Sequence, residues 1–175
     1  MRAFLILAAA TALASPTLAG PLGPLGPAAE GKVQCFQPNE AARTCQSIGA
    51  YRFGPNGEIE NIATMMILTG PVVIMTTRAP AHIKGDRDCG TLRPEHIDRS
   101  TFSFDGKPAN AAQTAALRAQ MKASLAATFG HEACSAYMPN GSALLATSTL
   151  DGAPRPALDQ KMIWVSPSDG YRVAP

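Results

Sequence analysis

Residues 45–57 read CQSIGAYRFGPNG and residues 134–141 read CSAYMPNG, and the fold expected of the chain follows from these two stretches. In each, a cysteine is followed by an Ala-Tyr pair (Ala50-Tyr51, Ala136-Tyr137) and then by Asn-Gly (Asn56-Gly57, Asn140-Gly141). Both residues of an Asn-Gly pair tolerate the positive φ of a tight turn, so each stretch is expected to form a β-hairpin. A β-rich run follows each hairpin, at 71–77 and at 161–165. The body therefore reads as a hairpin plus a third strand used twice, and internal duplication of units 45–77 and 134–165 is one account of the similarity.

Between these units the residues 110–129 carry a helical signature. Asn110 is a good N-cap with Gln113 as its capping-box partner, and Gly130 is a stop. Leu117, Met121, Leu125 and Phe129 recur every fourth residue and form one apolar face. Asp105-Gly106, Asp151-Gly152 and Ser168-Asp169-Gly170 mark further turns. The fold expected is α+β: a curved antiparallel sheet of about five to seven strands packed on one long helix. Phe53, Ile62, Ile67, Val73, Met75, Leu145, Ile163 and Val165 are its expected core.

Working outward to the termini, the chain opens with Arg2, an apolar run at 3–14 and small residues ending at Ala19, the pattern of a secretory signal peptide over 1–19. That run is well short of the ~20 residues that span a bilayer, so no stable membrane span is expected. Residues 20–31 (GPLGPLGPAAEG) read as a Gly/Pro-rich extended tether, and 32–175 as a single domain. The place of action is then the periplasm or the outside of the cell. All 4 cysteines lie beyond the signal, an even number for an oxidising compartment. Proximity favours Cys35 with Cys45 and Cys89 with Cys134, bonds that would stabilise by ~3 and ~4 kcal/mol on the chain-entropy estimate.

With 46% hydrophobic and 16% charged residues and a net charge of +2, the chain is neither disordered nor equipped with a basic stripe for nucleic acid. The densest charge lies at 78–99, where His82, Asp86, Asp88, His96 and Asp98 are the candidate ligand-binding residues. Cys89 and His96 with His131 and Cys134 offer ligand types that zinc accepts, but oxidation of the two thiols to each other would remove half the set. Met65-Met66 and Met75 could hold Cu(I), although core filling explains them better. No nucleophile elbow, metalloprotease helix, phosphate loop or dinucleotide fingerprint is present, so no catalytic residue and no cofactor is assigned. The function expected is an exported, non-catalytic domain that binds a protein partner or an envelope or cell-wall component through its loops. The alternatives are an envelope-acting hydrolase with a site near 82–98 and a periplasmic zinc-binding protein. The mature chain should begin at Gly20, which mass spectrometry of the exported form checks; a full-length species would contradict it.

Overall fold

The computed structural model describes residues 22–175, so the expected signal segment and its cleavage point lie outside the described residues. Eight strands close an antiparallel barrel. They are β1 (Val33–Phe36), β2 (Ser47–Phe53), β3 (Ile59–Thr69), β4 (Val72–Lys84), β5 (Arg87–Thr91), β6 (Glu132–Asn140), β7 (Ala143–Leu150) and β8 (Gln160–Val165). Each strand pairs with its predecessor in sequence, and β8 returns to β1, with Val33 opposite Val165 and Phe36 opposite Met162. This corrects the expected sheet packed on one long helix: the sheet curls until it buries its own inner face.

Both expected hairpins form, as β2–β3 and β6–β7. Their turn chemistry differs from the expectation, because only the glycine takes positive φ (Gly57 at 86°, Gly141 at 62°) while Asn140 is the last residue of β6. It is the two Asp-Gly pairs that put both residues there, Asp105 and Gly106 at 44° and 78°, Asp151 and Gly152 at 49° and 78°.

Strand β4 runs through 78–84, the first third of what reads as a charged loop, and contains Pro80. Its first half pairs with a short strand at Thr101–Phe104 and its last residues with β5, leaving 77–81 without a partner on that side. A proline fits at such a gap because no ladder bond is lost there. The segment between β5 and β6 holds the helices Pro94–Asp98 and Ala111–Ser124. Asn110 and Gln113 form the expected capping box, each side chain bonded to the other's backbone N–H at 2.9 Å. The helix stops at Ser124, with Leu125 as its C-cap, and of its apolar face only Leu117 is buried, in a cluster with Val73, Met75 and Phe102. It therefore covers one end of the barrel rather than a sheet. Among the described residues no helix is long and apolar enough to cross a membrane. Strands β1, β5 and β8, with 4, 5 and 6 residues, are shorter than the roughly 9–11 of a membrane-spanning strand.

The other end is closed by the segment expected to be an extended tether. From Leu22 it forms a 3-10 turn (Gly23–Leu25) and a helical turn (Gly26–Ala29). These seat Leu25, fully buried, among Tyr51, Phe53, Ile59, Ala81, Ile83 and Trp164. The repeated Gly-Pro-Leu thus carries an apolar plug.

Cys35 bonds to Cys45 and Cys89 to Cys134, the pairings expected from the sequence. The first bond lies in a layer outside the barrel, with Val33, Ile48, Ile163, Val165 and Tyr171 packed on it. There Thr44–Cys45 pairs in parallel with Arg172–Val173. Of the expected core, Val73, Met75 and Val165 are buried. Ile62 and Leu145 are only half-buried and stand on the outer face, opposite Arg78 and Lys161 respectively. Leu25→Ala and Leu117→Ala should each cost roughly 2–5 kcal/mol in a denaturant melt, and Leu125→Ala distinctly less; an equal loss at 125 would contradict this packing.

Candidate functional site

Side chains alternate across a strand, so the register places every second residue inside the barrel. Gln34 and Phe36 of β1, Ser47, Gly49 and Tyr51 of β2, Asp88 and Gly90 of β5, and Ser135 and Tyr137 of β6 share this inner face and line one cavity of about 270 Å³. Its volume equals that of about nine waters at ~30 Å³ each. The remaining wall is largely apolar, with Ala63 and Met65 of β3, Ala79 of β4, and Leu92. The seam where β4 parts from β5, at Pro80 and Gly90–Leu92, is part of the lining.

One polar cluster interrupts this wall. The Tyr51 hydroxyl lies 2.6 Å from Asp88 Oδ2 and 3.1 Å from Gln34 Oε1, and the Tyr137 hydroxyl donates to Asp88 Oδ1 at 2.7 Å. Tyr137 also meets Trp164 edge-on, with ring centroids 6.4 Å apart. Gln34 is only 1% exposed, and its Nε2 has no hydrogen-bond partner among the described residues. Gly49 makes room for it: a Cβ there would lie 2.7 Å from Gln34 Oε1. Burial pushes the Asp88 carboxyl above the usual range, against the lowering effect of the two tyrosine hydroxyls. Burial, together with the neighbouring Asp88 charge, also holds Tyr51 and Tyr137 well above the ordinary phenol value.

The loop residues singled out at 78–99 do not assemble around Asp88. His82 is exposed, with its Nε2 3.2 Å from Glu132, whose other oxygen accepts from Lys84 at 2.7 Å. Lys84 foremost holds the Glu132 carboxyl below its usual range. Asp86 is exposed at the β4–β5 turn, and Asp98 is an exposed partner of Lys122 at 2.7 Å. His96 is buried; its Nδ1 accepts from Arg93 N–H, and its carbonyl accepts from Thr77 and Ser100. Burial lowers its pKa, so the ring is a neutral brace for the Pro94–Asp98 helix.

The four residues of types that zinc accepts form no site either, since Cys89 and Cys134 are bonded to each other, as the sequence reading favoured, and His131 pairs with Asp151 at 2.6 Å. His82, the Cys89 sulfur and Glu132 do lie within 4.8 Å of one another, but a disulfide sulfur supplies no thiolate to a metal. Met75 is core, packed with Val73, Phe102 and Leu117.

Of the five candidate ligand-binding residues at 78–99, Asp88 alone lines the cavity. Gln34, Tyr51 and Tyr137 were not among them. The signal that could have found the tyrosines is the Ala-Tyr pair common to both hairpins; nothing local marks Gln34, which becomes internal only through the β1–β8 closure.

Because the raised Asp88 pKa means that the native state holds this proton more tightly than the unfolded chain, its contribution to stability is largest at low pH. It is lost as pH rises from the ordinary carboxylate value of about 3.9 through the folded one. Asp88→Asn has no proton to lose. Wild-type stability should therefore fall relative to Asp88→Asn as pH rises from about 4 in urea melts; a difference that stays flat or rises would contradict this environment. Compared with known proteins, the chain matches no family model, no curated protein and no solved structure.

Proposed function

We propose that the chain is an exported, non-catalytic binding domain, working in the periplasm or after secretion, and that it takes a small molecule into the barrel rather than a partner onto its loops. One observation carries the reading: a closed eight-strand barrel with an unfilled interior of about 270 Å³ and a hydrogen-bonding cluster in its wall. A barrel of this size either fills its interior with side chains or holds one small ligand. Small-molecule sites combine mostly apolar walls with a few placed polar groups. The two disulfides support an oxidising compartment. The dispersal of His82, Asp86, His96 and Asp98 over the outer face, a turn and the two sides of a short helix speaks against a hydrolase at 82–98. A panel of small neutral, anionic and cationic aromatics should contain compounds that raise the melting temperature saturably. The shift should vanish in Ala63→Phe, where a ring fills the cavity. A panel that never moves the wild type, or shifts that persist in Ala63→Phe, would sink the proposal.

A further inference from the structure

Asp88 is the one formally charged residue in the cavity lining, and among the described residues no lysine, arginine or histidine shares that lining with it. The groups that face it are Tyr51 from β2 and Tyr137 from β6, with Gln34 from β1 joined through Tyr51. Proton counting exposes a mismatch. Tyr51 has a single hydroxyl proton, yet its oxygen is within hydrogen-bonding distance of two acceptors, Asp88 Oδ2 and Gln34 Oε1. If Asp88 is protonated, it donates to Tyr51, Tyr51 donates to Gln34 Oε1, and Gln34 Nε2 is left over. If Asp88 is ionised, Tyr51 donates to it. Gln34 must then turn its amide over so that Nε2 donates to Tyr51, which leaves Oε1 without a donor. The ionised cluster thus lacks two things at once, a positive charge and N–H donors.

We propose that the cavity is a site for a small primary amine, bound as its ammonium ion with N–H groups directed at Asp88 and Gln34 Oε1 and with its apolar part against Phe36, Ala63, Met65 and Leu92. The inference rests on the proposed binding function and names its ligand class. An ammonium supplies the missing countercharge and the missing donors together, and charge-assisted hydrogen bonds are the strong ones. The tyrosine rings beside Asp88 add an aromatic surface that a cation favours over an anion. A neutral alcohol supplies a donor without the charge, and a carboxylate would meet Asp88 as a like charge. The amine therefore competes with a proton for the same carboxylate, and its binding weakens as pH falls.

Calorimetry on the full exported chain with phenethylamine, phenethyl alcohol and phenylacetate separates these cases, because the three share one apolar body. Phenethylamine should bind at least about tenfold more tightly than the alcohol, and phenylacetate most weakly. Lowering the pH should weaken the amine and leave the alcohol unchanged. Asp88→Asn should remove at least about tenfold of the amine affinity while alcohol binding is retained. Alcohol binding that Ala63→Phe blocks, with no preference for the amine in the wild type, would refute the amine and leave the small-molecule barrel standing. Amine affinity unaltered in Asp88→Asn would also refute it. No binding by any of the three would overturn the amine proposal, and an unmoved wild type across the wider panel would overturn the barrel reading as well.

Discussion

The structure depends on the antiparallel pairing of β1 with β8, which joins residues from the two ends of the domain: Val33 with Val165, Gln34 with Trp164, Cys35 with Ile163, Phe36 with Met162. Without it the remaining strands would be an open meander with two exposed edges, each a template for unwanted pairing. With it the sheet has an inside, and the two-residue period sorts the side chains. Gln34 and Phe36 go to the cavity, while Val33 and Cys35 go to the outer layer under the C-terminal strand. A slip of one residue would exchange these sets, placing the disulfide in the cavity and the amide outside. The Cys35–Cys45 bond pins β1 next to the chain that leads into β2, and so it holds the register on which the site depends.

A closed barrel with an incompletely filled interior has fewer contacts to stabilise it than a packed core, and this interior also holds groups that disfavour folding. An unpaired buried amide costs roughly 1–3 kcal/mol, and a buried carboxylate without a cation adds a penalty of its own. Both lie just inside the end that Leu25 shuts, since Gln34 is opposite Trp164 and Asp88 is opposite Ile83, two residues packed on Leu25. One end is shut by Leu25 and its neighbours, the other by Leu117 and Phe102 on Val73 and Met75. Stability is concentrated at the ends and in two cross-links, and unsatisfied polarity just inside one of those ends. A folded domain retains that division most readily where these groups meet a ligand, because natural sequences depart from local consistency mainly at functional sites.

Local features were legible in the sequence to the extent that their causes are local. The capping box at Asn110 and Gln113, both hairpins and the Cys35–Cys45 bond follow from residues close together in the chain, whereas the Cys89–Cys134 bond, across 45 residues, followed from the even cysteine count and the pairing of nearest cysteines. Closure was not legible, because the β1–β8 contact spans almost the whole domain and VQCF at 33–36 is too short and mixed to announce a strand. The helix at 111–124 misled for a related reason. Its four-residue spacing is the strongest periodic signal in the chain, but it buries little beyond Leu117, since the barrel's inner face already satisfies itself. The charged stretch at 78–99 misled because strand β4 continues through it, and alternation sends Arg78 and His82 outward while Asp88, on the next strand, turns inward. Charge density in the sequence marked the right neighbourhood without distinguishing its two faces.

The cluster also has a relation to the repeated pattern of the chain. Gln34 precedes Cys35 on β1, and Asp88 precedes Cys89 on β5; each of these cysteines bonds to the next one along the chain, and after each partner comes Ala-Tyr on the following strand. The offset differs, since Cys45 lies ahead of β2 whereas Cys134 lies within β6. Strands β1 and β5 are four apart in a ring of eight, so the two sets converge from opposite walls, and one half contributes an amide and a tyrosine while the other contributes a carboxylate and a tyrosine. Two amides in these places would leave the cavity neutral, and two carboxylates would repel each other and share one proton. The difference between Gln34 and Asp88 gives the interior a single ionisable carboxyl, so in the proposed amine site the discrimination between cationic and neutral ligands would rest on that one position.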